Sequence, residues 1–335
     1  MNKQYVDPLT SGSEQIQGIG VKDSPMTVAL EVTKRCNFRC LHCYNESGVQ
    51  TKNELSDKEM LDLADQIAKL KPITVCLCGG EPTLRKNLLD IIEHLSSGVG
   101  YVTMVSNGYL IDYDFAIKMK SAGLHLVQIS LDGDTEMQHD TLRGKLGAFK
   151  KAVSAIDSLI DAGIQVVTSF TPSKLNYQTV GRYIDYCKEL GVREVRSMPL
   201  IPMGRGQLID KLLLSSEEYA YLQRIVNEKK EEYKFTNFSI EWGDPIDHYH
   251  RLPSLAKKGH KTYLVDVRSN GDLGVSTYLP FYFGNIREHS IKEYWDRGFC
   301  NVWTNKDLLE IVSNIETIYD LCAASSMKPK RIDII

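Results

Sequence analysis

Short β-branched runs recur along this chain, each directly after a glycine or proline. ITVCLC follows Pro72, YVTMVS follows Gly100, LHLVQIS follows Gly123, IQVVTSF follows Gly163 and VREVRS follows Gly191, while MTVALEVT, ending at Thr33, is an earlier member. Helical patterns lie between them. In KLGAFKKAVSAIDSLIDAG, Leu146, Phe149, Val153, Ile156 and Ile160 fall on one stripe, and Gly163 suits a left-handed cap ahead of the next strand. LSDKEMLDLADQIAKL opens with a capping box, Ser56 followed by Glu59. Six strands alternating with helices predict a parallel sheet covered by helices. Six units are too few for an eightfold barrel, so the expected fold is a partial (β/α)6 TIM-type barrel, with a doubly wound open sheet as the second choice.

Such sheets place their sites at the C-terminal ends of the strands. The first strand leads there into EVTKRCNFRCLHCYN, with Cys36, Cys40 and Cys43 inside eight residues. Net charge is −3 with 25% charged residues, so nothing in the composition argues for nucleic acid or a membrane-binding tail. No apolar run reaches the length of a membrane span, and MNKQYVDPLTSGSEQ has no secretory core, which leads us to expect a cytoplasmic protein. In a reducing compartment clustered thiols hold metal more often than they form disulfides. Two metal readings stay open on spacing alone. One is a zinc scaffold with His42 or a distant cysteine as fourth ligand; the other is an iron–sulfur cluster in which three thiolates leave one iron open.

The pieces that follow the cysteine loop resemble the radical SAM superfamily. They are Gly79-Gly80-Glu81-Pro82, VSNG at 105–108, SLDG at 130–133 and LRG at 142–144, in that order on successive strand ends. The resemblance covers residues 28 to about 206. It implies one [4Fe–4S] cluster on Cys36, Cys40 and Cys43, with S-adenosylmethionine chelated on the open iron. Reductive cleavage would give a 5′-deoxyadenosyl radical that abstracts a substrate hydrogen, fed by an electron donor such as flavodoxin or ferredoxin. It further implies that Gly79, Gly80, Glu81 and Pro82 hold the methionine ammonium, and that Ser106, Asn107, Ser130 and Asp132 face the methionine or ribose. Arg143 would offer a forked donor to the carboxylate, His42 would lie near the adenine, and Pro202-Met203-Gly204 would give backbone contacts to it. The alternative for each of these is ordinary turn chemistry or a surface charge. Cys76 and Cys78 point one way from their strand, as pocket lining, ligands of a second cluster, or small packing residues.

After about residue 206 the rhythm changes. Helical LSSEEYAYLQRIVNEKKEEY leads to YLVDVRSNGDLGVSTYLP, two strand-like runs joined by Asn270-Gly271, then to helical SIKEYWDRGF. This part resembles the SPASM extension or its shortened twitch form, but Val275-Ser276-Thr277 stands where a cluster cysteine would follow the hairpin, and Cys322 is alone near the end. The expected organisation is a polar segment over 1–24, a core barrel over 25–206 and a smaller α/β extension over 207–335 with no cluster of its own. The resemblance implies modification of a ribosomally made precursor peptide by crosslinking, epimerisation or oxidation, with a small metabolite such as a sugar or tetrapyrrole precursor as the alternative substrate. With no leader-binding domain expected before Met26, a peptide would dock at the barrel mouth or on the extension. For epimerisation, Cys300 and Cys322 are the candidate hydrogen donors.

Overall fold

The computed structural model describes residues 23–334; the polar segment expected over 1–24 lies almost wholly outside the described residues. Eleven strands are described. β1 (Thr27–Thr33), β2 (Thr74–Gly79), β3 (Tyr101–Ser106), β4 (Leu126–Ser130), β5 (Gln165–Phe170) and β6 (Glu194–Ser197) occupy the six expected runs. They pair in parallel in chain order, as the partial barrel requires. β7 (Ser239–Trp242) adds beyond β6, and β8 (Leu264–Val267) adds beside β1, both parallel. β9 (Leu273–Gly274) turns back antiparallel onto β8 through the expected hairpin, where Gly271 has φ +89°. The chain after residue 206 therefore extends the main sheet at both of its edges. A separate pair, β10 (Phe281–Tyr282) and β11 (Lys330–Arg331), is parallel.

Alternation along each strand separates two faces. Val28, Leu30 and Val32 of β1, Val75 and Leu77 of β2, and Val127 and Ile129 of β4 lie in the core under the helices. The opposite, inner face is polar, with Glu31, Cys76, Cys78, Gln128, Arg196 and Asp266 in the alternate positions. The covering helices are α1 (Asp57–Leu70), α2 (Leu88–Ser96), α3 (Tyr113–Ala122), α4 (Glu136–Arg143), α5 (Ala148–Asp161) and α6 (Val180–Glu189), followed by α7 (Ser216–Tyr233), α8 (Asp247–Lys257), α9 (Ile291–Asp296), α10 (Lys306–Val312) and α11 (Ile318–Ser325). The Ser56–Glu59 capping box forms at α1, and Gly163 follows α5 with φ +75°.

The buried face of α5 departs from the expected stripe. Leu146 precedes the helix and is 90% exposed, and the helix buries Ala148, Ala152, Ala155, Ile156 and Leu159. Small residues win there because the backbone comes close: a Cβ on Gly108 would stand 3.1 Å from Ala155 Cβ and 3.3 Å from Ala152 Cα. Among the described residues no helix is long and apolar enough to cross a membrane.

Candidate active site

The cysteine loop leaves β1 and is pinched at its base, where Cys36 N donates to Gly48 O at 3.0 Å and Gly48 N to Lys34 O at 2.9 Å. Lys34 Nζ crosses the loop to the Asn45 carbonyl and side chain at 2.8 and 2.6 Å. Between these ties the three cysteines gather in one small cluster with Phe38, Ala148 and Tyr109, apart from the main core. Phe38 N donates to Cys36 Sγ at 3.4 Å. Burial pushes the Cys36 thiol up to about 11; Cys40 is also raised by burial, against the pull of the nearby Arg143 charge.

The strand end after β2 is fastened to this loop. Gly80 N donates to Thr33 O and Glu81 N to Arg35 O, each at 2.8 Å. A Cβ on Gly79, whose φ is +128°, would fall 2.4 Å from Thr33 O, and one on Gly80 would fall 2.1 Å from Arg35 O. Both glycines are thus required by backbone packed on backbone, whatever else the loop meets. Glu81 is 1% exposed and accepts from four protein donors: Ser106 Oγ and Asn107 N at 2.8 Å, and Thr83 Oγ and N at 2.8 and 3.2 Å. Burial raises its carboxyl despite them. Pro82 starts the short turn that Glu81 caps. Asn107 Nδ2 continues the chain of contacts to Asn37 Oδ1 at 2.8 Å, inside the cysteine loop.

A second group converges from β4 and α4. Asp132, fully buried, accepts from Arg143 Nε at 2.6 Å and Thr171 N at 2.8 Å, with His42 Nε2 3.8 Å away. Burial works to raise its carboxyl, and the Arg143 charge outweighs that and holds it low. Arg143 Nη1 lies 3.9 Å from Cys40 Sγ. Burial lowers both imidazoles to about 4, so they are neutral at pH 7. His139 Nδ1 accepts from Asp132 N at 3.0 Å; His42 Nδ1 and His139 Nε2 have no partner among the described residues. Ser130 ends β4 two residues before Asp132 and is buried on the inner face.

From beyond β6, Met203 sits in the main core, while a Cβ on Gly204 would lie 2.5 Å from Tyr44 O and 2.6 Å from Cys43 O. Arg205, which the sequence reading missed, donates to Cys40 O and Ser47 O, both at 2.9 Å. Its only signal was proximity to the PMG stretch. His139 was missed because α4 itself was: the helix buries Gln138, His139 and Asp140, so no apolar periodicity marks it. Cys300 lies in the main core among Phe299, Val302 and Trp303, and Cys322 packs against that core from α11; neither shares the cluster of the cysteine loop.

The donor set fits an iron–sulfur cubane better than a single ion. Three thiols from one loop gather in one cluster, and a cubane takes each thiolate on a separate iron. The Arg143 guanidinium beside Cys40 suits a thiolate-bound, negatively charged group.

The profile of the radical SAM superfamily matches residues 30–187. The chain belongs to this superfamily. Radical SAM proteins are enzymes that use a [4Fe–4S] cluster and S-adenosylmethionine, and this one is a radical SAM enzyme. It is 29% identical over 302 residues to the AdoMet-dependent heme synthase of Methanosarcina barkeri, covering 84% of each chain. It is 28% identical over 304 residues to the mycofactocin maturase MftC of Mycolicibacterium smegmatis, covering 85% of this chain and 72% of the other. Streptococcus suis SuiB bound to S-adenosylmethionine has the same fold, with a TM-score of 0.70 at 14% identity over 88% of this chain and 75% of that one. These relatives differ in substrate class, while the radical SAM core is common to them.

Proposed function

We propose that this radical SAM enzyme carries one [4Fe–4S] cluster on Cys36, Cys40 and Cys43 and modifies a ribosomally made precursor peptide. When bound, cluster and S-adenosylmethionine together supply reductive cleavage of a sulfonium and hydrogen abstraction from an unactivated carbon. The observation that carries the reading is the fastening of the end of β1 and the cysteine loop to three other parts of the fold: Gly80 and Glu81 after β2 through Thr33 and Arg35, Arg143 of α4 at Cys40, and Arg205 beyond β6 at Cys40 and Ser47. A loop held this way presents three thiols in one place and keeps one side for the cofactor.

The protein's own groups divide the work. Arg143 offsets negative charge at Cys40 and holds Asp132 ionised. Glu81 fixes Ser106 and Asn107, so the edge after β3 meets the cofactor in one arrangement; its own contact with the methionine ammonium is through that edge and its remaining acceptor capacity. Pro82 orders the turn behind Gly79 and Gly80. Ser130 and Asp132 face the ribose side, and the neutral His42 and the backbone near Met203 serve the adenine. Cys300 and Cys322 as hydrogen donors would require the substrate to reach the main core, so these two carry the least of the proposal.

A single cluster is favoured by Val275-Ser276-Thr277, which stand where the resemblance would put a further cysteine; Ser276 there is engaged by Tyr249 Oη at 2.7 Å and Tyr278 N at 3.2 Å. The peptide reading is supported by the likeness to a maturase, and the fold is shared with SuiB, which binds its precursor peptide SuiA. A second reading, a tetrapyrrole substrate, is favoured by the near full-length similarity to a heme synthase. An electron donor such as flavodoxin or ferredoxin belongs to either. The deciding experiment is anaerobic incubation with reductant, S-adenosylmethionine, and either candidate precursor peptides or tetrapyrroles, read by mass spectrometry. A mass change in peptide with matched 5′-deoxyadenosine supports the first reading; turnover of tetrapyrrole alone transfers the proposal to the second. About four irons per chain is the expected content, and about eight rejects the single cluster.

A further inference from the structure

The inner face of the sheet carries a carboxylate that none of the contacts above uses. Asp266 stands on β8 between Val265 and Val267, both in the core under the helices, so alternation turns it inward. It pairs in register with Ala29 of β1, which pairs in turn with Cys76 of β2. One inward step further along, Glu31 and Cys78 are partners. Asp266 is 3% exposed. It accepts no hydrogen bond and makes no ion pair among the described residues. Arg268, two residues on, acts on it only at a distance and gives its guanidinium to the Leu279 carbonyl. Glu31 is different: Ser269 Oγ and N donate to one of its oxygens at 2.6 and 3.2 Å, and Asn45 Nδ2 to the other at 2.8 Å.

Apart from the Arg268 guanidinium, which is engaged at the Leu279 carbonyl, the groups within electrostatic reach of Asp266 carry no positive charge. They are Tyr44, Tyr249, Tyr278, Cys78 and Glu31. Tyr44 and Tyr278 meet edge to face with centroids 5.1 Å apart, and Tyr278 Oη reaches Met198 Sδ at 3.7 Å. Tyr44 keeps 39% of its surface open, so its ring is available to a ligand. A buried carboxylate with no donor is costly, and an apolar residue would serve the fold better. A ligand cation removes that cost, and tyrosine faces beside it add attraction.

We infer that Asp266 anchors a positively charged group of the substrate, a primary ammonium or a guanidinium, within an inner chamber walled by Tyr44 and Tyr278. The inference rests on the reading of the barrel interior as the place where substrate is modified, and it narrows that substrate to one bearing a basic group near the reacting carbon. For a peptide this means a lysine, an arginine or a free amino terminus.

The test uses anaerobically reconstituted protein with S-adenosylmethionine present, titrated with n-butylammonium, n-butylguanidinium, butyramide and butyrate and followed by saturation-transfer NMR. The cationic probes are expected to bind at least about tenfold more tightly than butyramide, with butyrate weaker still. Asp266→Asn should bring cation and amide within about twofold of each other, and Asp266→Glu should keep part of the preference. Equal binding of butylammonium and butyramide to wild type overturns the inference, and so does an undiminished preference in Asp266→Asn. In a parallel titration begun without S-adenosylmethionine, displacement of the bound probes when it is added, one for one, would hand the carboxylate to the cofactor and also overturn the inference. The near-isosteric Asp266→Asn should melt no lower than wild type; a lower melting temperature would reveal a structural partner and count against the anchor. Formation of 5′-deoxyadenosine by wild type is read separately. Protein that prefers the cationic probes but forms none keeps the anchor and loses the radical account.

Discussion

Arg143 Nε stands 2.6 Å from Asp132 Oδ2, and the same guanidinium reaches Cys40 Sγ at 3.9 Å. One residue at the end of α4 thus ties the loop after β4 to the cysteine loop. Both partners of the ion pair are buried, so removing either leaves the other's charge without compensation. Arg143→Met is expected to destabilise the fold by about 3–5 kcal/mol, measured by denaturant unfolding, and to lower iron content after reconstitution. Arg143→Lys keeps the charge but not the fork, and should fall between.

Gly80 offers a sharper test of how the cysteine loop is held. Its missing Cβ would sit 2.1 Å from the Arg35 carbonyl, where neither backbone can give way cheaply. Gly80→Ala should cut reconstituted iron well below half of the wild-type value. Gly147 has a positive φ, +76°, but nothing stands within 4 Å of its Cβ position. Gly147→Ala should cost only the conformational strain, about 1 kcal/mol, and leave iron uptake unchanged. Equal iron losses in the two variants would contradict this account.

Arg205 fastens the same loop from the far end of the sheet, through the carbonyls of Cys40 and Ser47. Arg205→Ala removes two charge-assisted hydrogen bonds, together about 1.5–3 kcal/mol of local stability. The expected readout is faster loss of iron to a chelator, with a smaller change in global unfolding because the sheet below is untouched.

Asp266 should write itself into the pH dependence of stability. Burial raises its carboxyl from the ordinary 3.8 to about 7. Between those values the folded protein holds a proton that the unfolded chain has released. The group's contribution to stability therefore falls as pH rises through that window and is lowest above pH 7. Asp266→Asn should be more stable than wild type by on the order of 2–4 kcal/mol at pH 8.5, with the difference shrinking toward pH 5. Thermal melts at four or five pH values measure this; a gap that does not change with pH would refute it.

Much of the architecture was legible. The runs after Pro72, Gly100, Gly123, Gly163 and Gly191 became β2 to β6 because local β-propensity and the core pattern agree there. The Ser56 capping box and the Asn270-Gly271 turn were local signals and appear as expected. What was hidden had physical causes. α4 buries polar residues that serve Asp132, so its pattern does not look like a helix against a core. α5 packs through alanines, which a search for large apolar residues passes over. Glu81 reads as a free acceptor in the sequence, yet its donors come from the strand after the next helix. The place of β8 beside β1 depends on pairing across more than two hundred residues, which no local window contains.

That last pairing bears on when the protein can acquire its metal. β1, whose end carries the cysteine loop, keeps one bare edge until residues 264–267 leave the ribosome. The ties from Ser269 to Glu31 and Leu55 are made later still. Until then nothing covers that side of the loop's foundation. Iron delivery accordingly belongs to the finished polypeptide rather than the growing one, and a chain stalled short of β8 should remain colourless.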